Sequence, residues 1–464
     1  MERPLAVSQN SKPLAPSFMV SAPGKVIVYG EHAVVYGKAA IAASISLRTY
    51  LLVTFPPKSN RIISLHSPDV DLNHTWNIDD LPWHDFSEAN QKNQSLDPGL
   101  VEALQPHIAA VSSSRPESTR RTHRASAFAF LYLLLSLGSH DLDPCIYAVR
   151  STIPIGAGLG SSASLAVCMA TALLLQTGAL SIPHQRQNTH ESVLQIDRIS
   201  RWAFVAEMCI HGNPSGVDNT VCSGGKAVMF QRNPPDSAVV TPLRRFPELP
   251  LLVVNTREPR SATDEINKVK GLRNSHPAVA DRVLSAIHAT TESAYQLISA
   301  PDFEPTSPAA LRHLGDLVAI NNGLLVSLGV SHPKLERTRA LVDRLGVGWT
   351  KLTGAGGGGC AIVLLKKQHV PAGVADEPGA AESRSAAQEL LDLERMLADE
   401  GLEMLETKLA GDGVGVLWPA VSGAEGGVEI DQKRFLGSKG KEAVENLVGI
   451  NVAGQSNGWR FWRR

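Results

Sequence analysis

The sequence predicts an α+β protein built as two domains. Three observations predict it. The chain has 464 residues, more than a single hydrophobic core ordinarily serves. Strand-like apolar runs and helical periodicities both occur along it, with no internal repeat. A breaker cluster, Asn233-Pro234-Pro235-Asp236-Ser237, places a boundary within 235–245. The expected division is a disordered tail at 1–17, an N-terminal domain at 18–240 and a C-terminal domain at 241–464.

Taken in order, residues 26–29 read as a strand, and 39–54 carry further strand signal. Residues 56–122, rich in Pro, Ser, Asn and Asp, read as irregular structure with surface loops. A helix is expected at 123–138, a short strand at 146–150 and a helix at 164–175. Residues 191–210 form an amphipathic helix, with Leu194, Ile196, Ile199, Ala203, Ala206 and Ile210 near helical spacing. Residues 251–255 read as a strand, and helical patterns fill 264–299 and 308–328. Strands at 349–353 and 360–365 flank a glycine-rich turn, and 368–386 read as a solvated insertion.

Composition narrows the function. A net charge of -1 lacks the basic excess of a nucleic-acid binder, though a local basic pocket for a polyanion is compatible with it. Five cysteines, an odd count with no Cys-x-x-Cys pair, read as reduced thiols rather than a disulfide framework or a zinc site. The N-terminus has no apolar core of a signal peptide, and the apolar run 125–137 is too short to span a bilayer. The C-terminal Gly-Trp-Arg-Phe-Trp-Arg-Arg reads as a docked or frayed tail.

Four segments carry chemistry. Pro154-Ile155-Gly156-Ala157-Gly158-Leu159-Gly160-Ser161-Ser162-Ala163-Ser164 follows a strand and opens a helix. Its glycines let a ligand approach the backbone, the amides at the helix start favour an anion, and the serines add hydroxyls or one metal ligand. An ordinary tight turn is the bland alternative; three alternate glycines, two serines and these flanks favour phosphate. No Gly-Lys-Ser/Thr follows, so the loop is not a Walker A loop. In the second segment Gly354, Gly356 and Gly359 match a dinucleotide fingerprint, but a strand follows where that fingerprint needs a helix. A hairpin turn and a loop beside a nucleotide stay equally open.

The third segment runs from Ser21-Ala22-Pro23-Gly24-Lys25 to Gly30-Glu31-His32-Ala33-Val34-Val35. A lysine beside a Pro-Gly turn can face developing negative charge. Alone, Lys25 would read as a surface residue and His32 as a structural hydrogen-bonding group. The fourth pairs Glu207, near a helix end, with His211-Gly212-Asn213-Pro214-Ser215-Gly216-Val217-Asp218-Asn219. The turn reverses the chain, so Glu207 and Asp218 can face one site, one holding Mg²⁺ and the other accepting a hydroxyl proton. The bland reading is a solvated Glu and an Asp helix cap.

Together, Pro23-Gly24-Lys25, Gly158-Leu159-Gly160-Ser161-Ser162-Ala163 and Gly354-Ala355-Gly356-Gly357-Gly358-Gly359 resemble the GHMP kinases in order and rough spacing. The finer segments 30–35 and 211–219 are similar to the mevalonate kinase branch, and the loops and Trp/Arg tail to its fungal members. The resemblance covers roughly 18–420 and implies an N-terminal domain like domain 2 of ribosomal protein S5, a ferredoxin-like C-terminal domain and an active site in the cleft between them. It implies ATP as co-substrate, Mg²⁺ as cofactor and mevalonate as acceptor. Asp218 would be the base and Lys25 the cation beside the reacting groups; Ser162 and Glu207 would hold Mg²⁺. Gly156, Ala157, Gly158, Leu159, Gly160, Ser161 and Ser162 would wrap the ATP phosphates, with Ser151 also on the nucleotide. Glu31 and His32 would lie along the mevalonate pocket. One departure stands out: the family's Arg-Asn/Ser-Thr run is here Arg260-Ser261-Ala262-Thr263, and Thr263 is the expected substrate-binding threonine, Ala262 the alternative. A cytoplasmic homodimer subject to inhibition by prenyl diphosphates is also implied. Another GHMP kinase, acting on phosphomevalonate or galactose, and a catalytically silent nucleotide sensor are the rival readings.

Overall fold

The computed structural model describes residues 16–83, 95–184, 187–233, 237–366, 380–422, 427–450 and 458–463. Most of the expected tail at 1–17, and the expected insertion up to residue 379, lie outside the described residues.

Strands β1 (Phe18–Tyr29) and β2 (Ala39–Thr54) are the spine of the molecule. Both are buried on both faces, so neither shows a strict apolar–polar alternation, and their polar side chains Ser21, Lys25, Ser44, Arg48 and Thr49 are buried with the rest. They pair antiparallel, with register shifts between Pro23 and Lys25 and between Ile27 and Tyr29. Such irregularities twist a strand and re-aim its side chains. The first of them falls at the Pro-Gly-Lys turn.

The segment expected to be irregular is largely regular. It contains β3 (Ile62–Ser67), β4 (Leu72–Asn77), α1 (Pro98–Ala109) and the start of α2 (Glu117–Leu137). The strands are six residues each and mix polar with apolar positions, so their pattern is weak; β3 is held by parallel pairing to β5 (Cys145–Ser151). Helix α1 opens at Asp97, whose carboxylate accepts the Leu100 amide, with Pro98 at the first turn. Helices α3 (Ser161–Gln176), α4 (Thr189–His211) and α5 (Val217–Gly224) follow, and α2, α3 and α4 share one core with β1, β2 and β5. The breaker cluster joins β6 (Ala227–Asn233) to β7 (Ser237–Leu243) as an antiparallel hairpin rather than separating domains.

The second half starts at β8 (Leu249–Asn255) and continues through α6 (Ala262–Ser275), α7 (Pro277–Ser299), α8 (Pro308–Ser327) and α9 (Pro333–Leu345). The single helical pattern read over 264–299 is broken at His276-Pro277, because proline disfavours helical geometry in the residue before it. Then come β9 (Gly348–Thr353), β10 (Cys360–Leu365), α10 (Ala380–Asp399) and β11 (Glu403–Leu409). The strands lie in the order β11-β8-β10-β9, the split βαβ order of a ferredoxin-like domain. A Leu409–Ile45 pairing joins this sheet to β2.

After β11 the chain returns to the first half. Strand β12 (Gly415–Leu417) pairs with β1, and a terminal strand, Arg460–Phe461, pairs with β12. Helices α11 (Gln432–Gly437) and α12 (Gly440–Val448) pack with Met19, Tyr50 and Leu52 of the spine. The division at 240/241 therefore assigns these last segments to the wrong half. The Trp/Arg tail is docked: Trp459 and Trp462 are buried, and Trp462 Nε1 donates to Gln195 Oε1 at 2.8 Å.

Candidate active site

A cleft of about 1080 Å³ lies between the halves, lined among others by Lys25, His32, Ser162, Glu207, Asp218 and Arg260. Local sequence explains each placement. The Lys25 amide donates to the Leu159 carbonyl at 2.8 Å, tying the bulge in β1 to the first glycine loop. Gly160 takes φ 75 as the residue before α3, and a Cβ there would come within 2.8 Å of the Lys25 side chain. Lysine and loop can pack this closely only because that residue is glycine. No side chain caps α3, so the amides of its first turn are left to meet an anion.

Helix α4 carries Glu207 on its buried stripe, in series with Ser192, Ile196, Ile199, Ala203 and Ala206. Glu207 is 4% exposed. Burial pushes its pKa up to about 7, Asp218 adds to the rise, and a Ser162 hydrogen bond and Lys25 oppose it. Glu207 Oε1 has no hydrogen-bond partner among the described residues. Asp218 sits in the first turn of α5, but the cap is Gly216, which makes no side-chain bond, so the helix-cap reading of Asp218 does not hold. Asp218 Oδ1 instead lies 3.2 Å from Lys25 Nζ.

The structure thus brings Lys25, Ser151, Gly156, Gly158, Gly160, Ser161, Ser162, Glu207 and Asp218 to one cleft. Ala157 and Leu159 do not line it; their side chains lie in the core, and only the backbone of that stretch is available to a ligand. Thr263 does not line it either. Ser261 caps α6 by accepting the Asp264 amide at 3.2 Å, and this register turns Ala262 to the cleft and leaves Thr263 exposed. Thr263→Ala is accordingly expected to keep turnover within about twofold, whereas Ser261→Ala should cost about 1 kcal/mol of stability through the lost cap. Steady-state rates and melting temperatures check both.

Glu31 and His32 reach the cleft wall, but each is held by the second half. Glu31 is ion-paired with Lys351, both fully buried, and accepts from Asn321 Nδ2 at 3.0 Å. His32 Nε2 donates to the Ala355 carbonyl at 2.8 Å, and burial lowers the pKa of its ring. The second glycine-rich segment answers to the hairpin reading of its sequence. It closes the β9–β10 hairpin, and Gly354 and Ala355 face the cleft.

Three groups escaped the sequence reading. Arg260 lies over Gly158, where a Cβ would overlap its guanidinium, and its Nε has no hydrogen-bond partner among the described residues. Asn219 is buried, and neither of its amide atoms has a hydrogen-bond partner among the described residues. His211 Nε2 lies 3.1 Å from Ser162 Oγ. All three stand inside motifs named above, so only their contacts were hidden.

Comparison with known proteins gives the family. The family description "GHMP kinases N terminal domain" matches residues 127–226, and "GHMP kinases C terminal" matches 308–382. With the fold, these matches define the class as a GHMP kinase. Mevalonate kinase of Gibberella zeae is 54% identical over 98% of this chain and 89% of its own length. That of Aspergillus fumigatus is 55% identical over 98% of this chain and 84% of its own. The solved structure of L. major mevalonate kinase in complex with R-mevalonate shares the fold, with a TM-score of 0.59 at 21% identity over 87% of this chain and 100% of that one. The chain belongs to the mevalonate kinase family. No helix among the described residues is long and apolar enough to cross a membrane.

Proposed function

We propose that the protein transfers the γ-phosphoryl group of ATP to the primary hydroxyl of (R)-mevalonate, giving 5-phosphomevalonate and ADP. The observation that carries this reading is the Lys25–Asp218 pair at 3.2 Å beside the amide-rich start of α3. Phosphoryl transfer needs little covalent work from the protein; positioning and charge stabilisation do most of it. Asp218 takes the hydroxyl proton as the substrate oxygen bonds to phosphorus and the bond to the β-phosphate oxygen breaks. Lys25 keeps a positive charge beside the oxygens on which negative charge develops. The glycine loop lets the phosphates approach the backbone, and Arg260, whose guanidinium lies over Gly158, adds positive charge at that loop.

The donor set fits a Mg²⁺ ion. Glu207 offers an unpartnered buried oxygen, and Ser162 a hydroxyl beside it. Among the described residues no group of three or more His, Cys, Asp or Glu is arranged to hold a metal. That agrees with Mg²⁺, which takes one or two carboxylates and completes its shell with phosphates and water. Ser162 and Glu207 would hold it, and bound there it supplies charge neutralisation for the phosphates. A cytoplasmic location and assembly as a homodimer belong to the same reading; fractionation and light scattering test them.

A coupled ADP-release assay with ATP, Mg²⁺ and a panel of acceptors tests the function. Mevalonate is expected to give the highest kcat/KM. Faster turnover on phosphomevalonate, galactose or homoserine overturns the assignment.

A further inference from the structure

Glu31 is more tightly engaged than a substrate ligand has reason to be. One carboxylate oxygen meets Lys351 Nζ and the other accepts from Asn321 Nδ2, and the Glu31 and Lys351 side chains are both 0% exposed. Lys351 Nζ also donates to the Leu352 carbonyl at 2.7 Å. Lys351 belongs to β9 and Asn321 to α8, so among the described residues both partners of the Glu31 carboxylate come from the second half. The same seam is sewn next door: Thr353 Oγ1 accepts from the Ile27 amide at 3.1 Å and donates to the Ile27 carbonyl at 2.9 Å.

This seam controls the residues that face the cleft. His32, directly after Glu31, holds φ 60, a left-handed conformation that a residue with a Cβ adopts only when its surroundings impose it. Before Glu31, a Cβ on Gly30 would collide with the Ala39 carbonyl and Ala40, so the turn is closed from the other side as well. Lys25 lies on the same strand, just ahead of Ile27. A shift of the seam would move His32 and Lys25 together relative to Arg260 and the second glycine loop.

We propose that the buried Glu31–Lys351 pair does not touch substrate but is a positioning lock, fixing the two halves of the cleft at the geometry in which His32 and Lys25 meet the acceptor. The assignment of an acceptor side to this part of the cleft rests on the function proposed above. It replaces the substrate-binding role first expected of Glu31. Removing one partner strands a buried charge, whereas neutralising both leaves none, so the two cases separate cleanly. In Glu31→Gln combined with Lys351→Met, the glutamine still accepts from Asn321 and can turn its amide toward the carbonyl groups that Lys351 leaves.

The experiment compares wild type, E31Q, K351M and the double variant for melting temperature and for the KM of ATP and of mevalonate. Each single variant is expected to lower kcat/KM for mevalonate at least about tenfold, with the KM for ATP within about twofold. The double variant should recover to within about threefold of wild type, a coupling of the size contacting residues show. A lysine change without effect on mevalonate overturns the lock. So does a double variant that regains its melting temperature but stays as slow as E31Q, because that result makes Glu31 a direct ligand. If wild type prefers another acceptor, the same four proteins are read with that acceptor, so the lock and the substrate assignment fail separately.

Discussion

Asp218→Asn lowers kcat by about 10²–10⁴, the range a positioned general base contributes, while the KM for ATP stays within a few fold. The expectation follows from what Asp218 does and does not touch. It is not the cap of α5, since Gly216 occupies that position. Its side chain is 35% exposed, and its ion-pair partner is Lys25, which is nearly buried. Asparagine keeps the shape and can still accept a hydrogen bond from Lys25, but it cannot take a proton from an attacking hydroxyl. A first-turn carboxylate also favours the helix dipole by about 0.3–1 kcal/mol, so the melting temperature should fall only slightly. A variant with a marked loss of stability and near-normal kcat would make Asp218 a structural residue. Measuring both on one preparation decides between them.

How much of this site could be read in advance depended on whether its residues speak within one segment. Glu207 was legible through its place near a helix end beside the 211–219 turn, which lets it share a site with Asp218, whereas its burial on the apolar stripe of α4 was not, since a helix-end Glu reads as solvated. Lys25 was legible through its Pro-Gly turn, and the bounds of β2 through a stretch rich in apolar and β-branched residues. Arg260 was visible only as the start of the run to Thr263, and its place in the site was not, because that is defined by Gly158 and Gly359 of two distant loops. The lock was hidden for the same reason. Lys351 lies in a strand whose pattern gives no hint that its ammonium points inward, and its partner lies in the other half of the chain. Thr263 was misjudged over one residue of register, decided by which side chain caps α6. The strands β3 and β4 were missed because each is short and half polar, and their order comes from pairing with β5 and with each other.

Glu207→Gln should change stability and activity in opposite directions. The Glu207 carboxyl titrates at about 7 in the folded protein against an ordinary 4.5, with burial the main cause. Between those two values the folded chain keeps a proton that the unfolded chain has released. Fewer protons on the unfolded state mean that stability falls as pH rises through this interval and is level above it. Below about pH 4.5 the penalty is absent; above about pH 7 it is complete. At 1.36 kcal/mol per pKa unit its full size is up to about 3 kcal/mol. Glutamine carries no charge to bury. The Gln variant, without metal or nucleotide, is therefore expected to melt higher than wild type at pH 8, with the difference shrinking toward pH 5. Its binding of Mg²⁺ with ATP should weaken on the order of 10²-fold, because the orphaned oxygen that suits a hard cation loses its charge. Calorimetric melts at the two pH values and a Mg²⁺ titration of ATP binding measure the two effects independently. A Gln variant that is less stable at pH 8 and binds Mg²⁺ and ATP normally would show that Glu207 supports the fold and not the metal. The opposite pair of results means that the protein gives up stability at neutral pH to keep a carboxylate where the phosphates arrive.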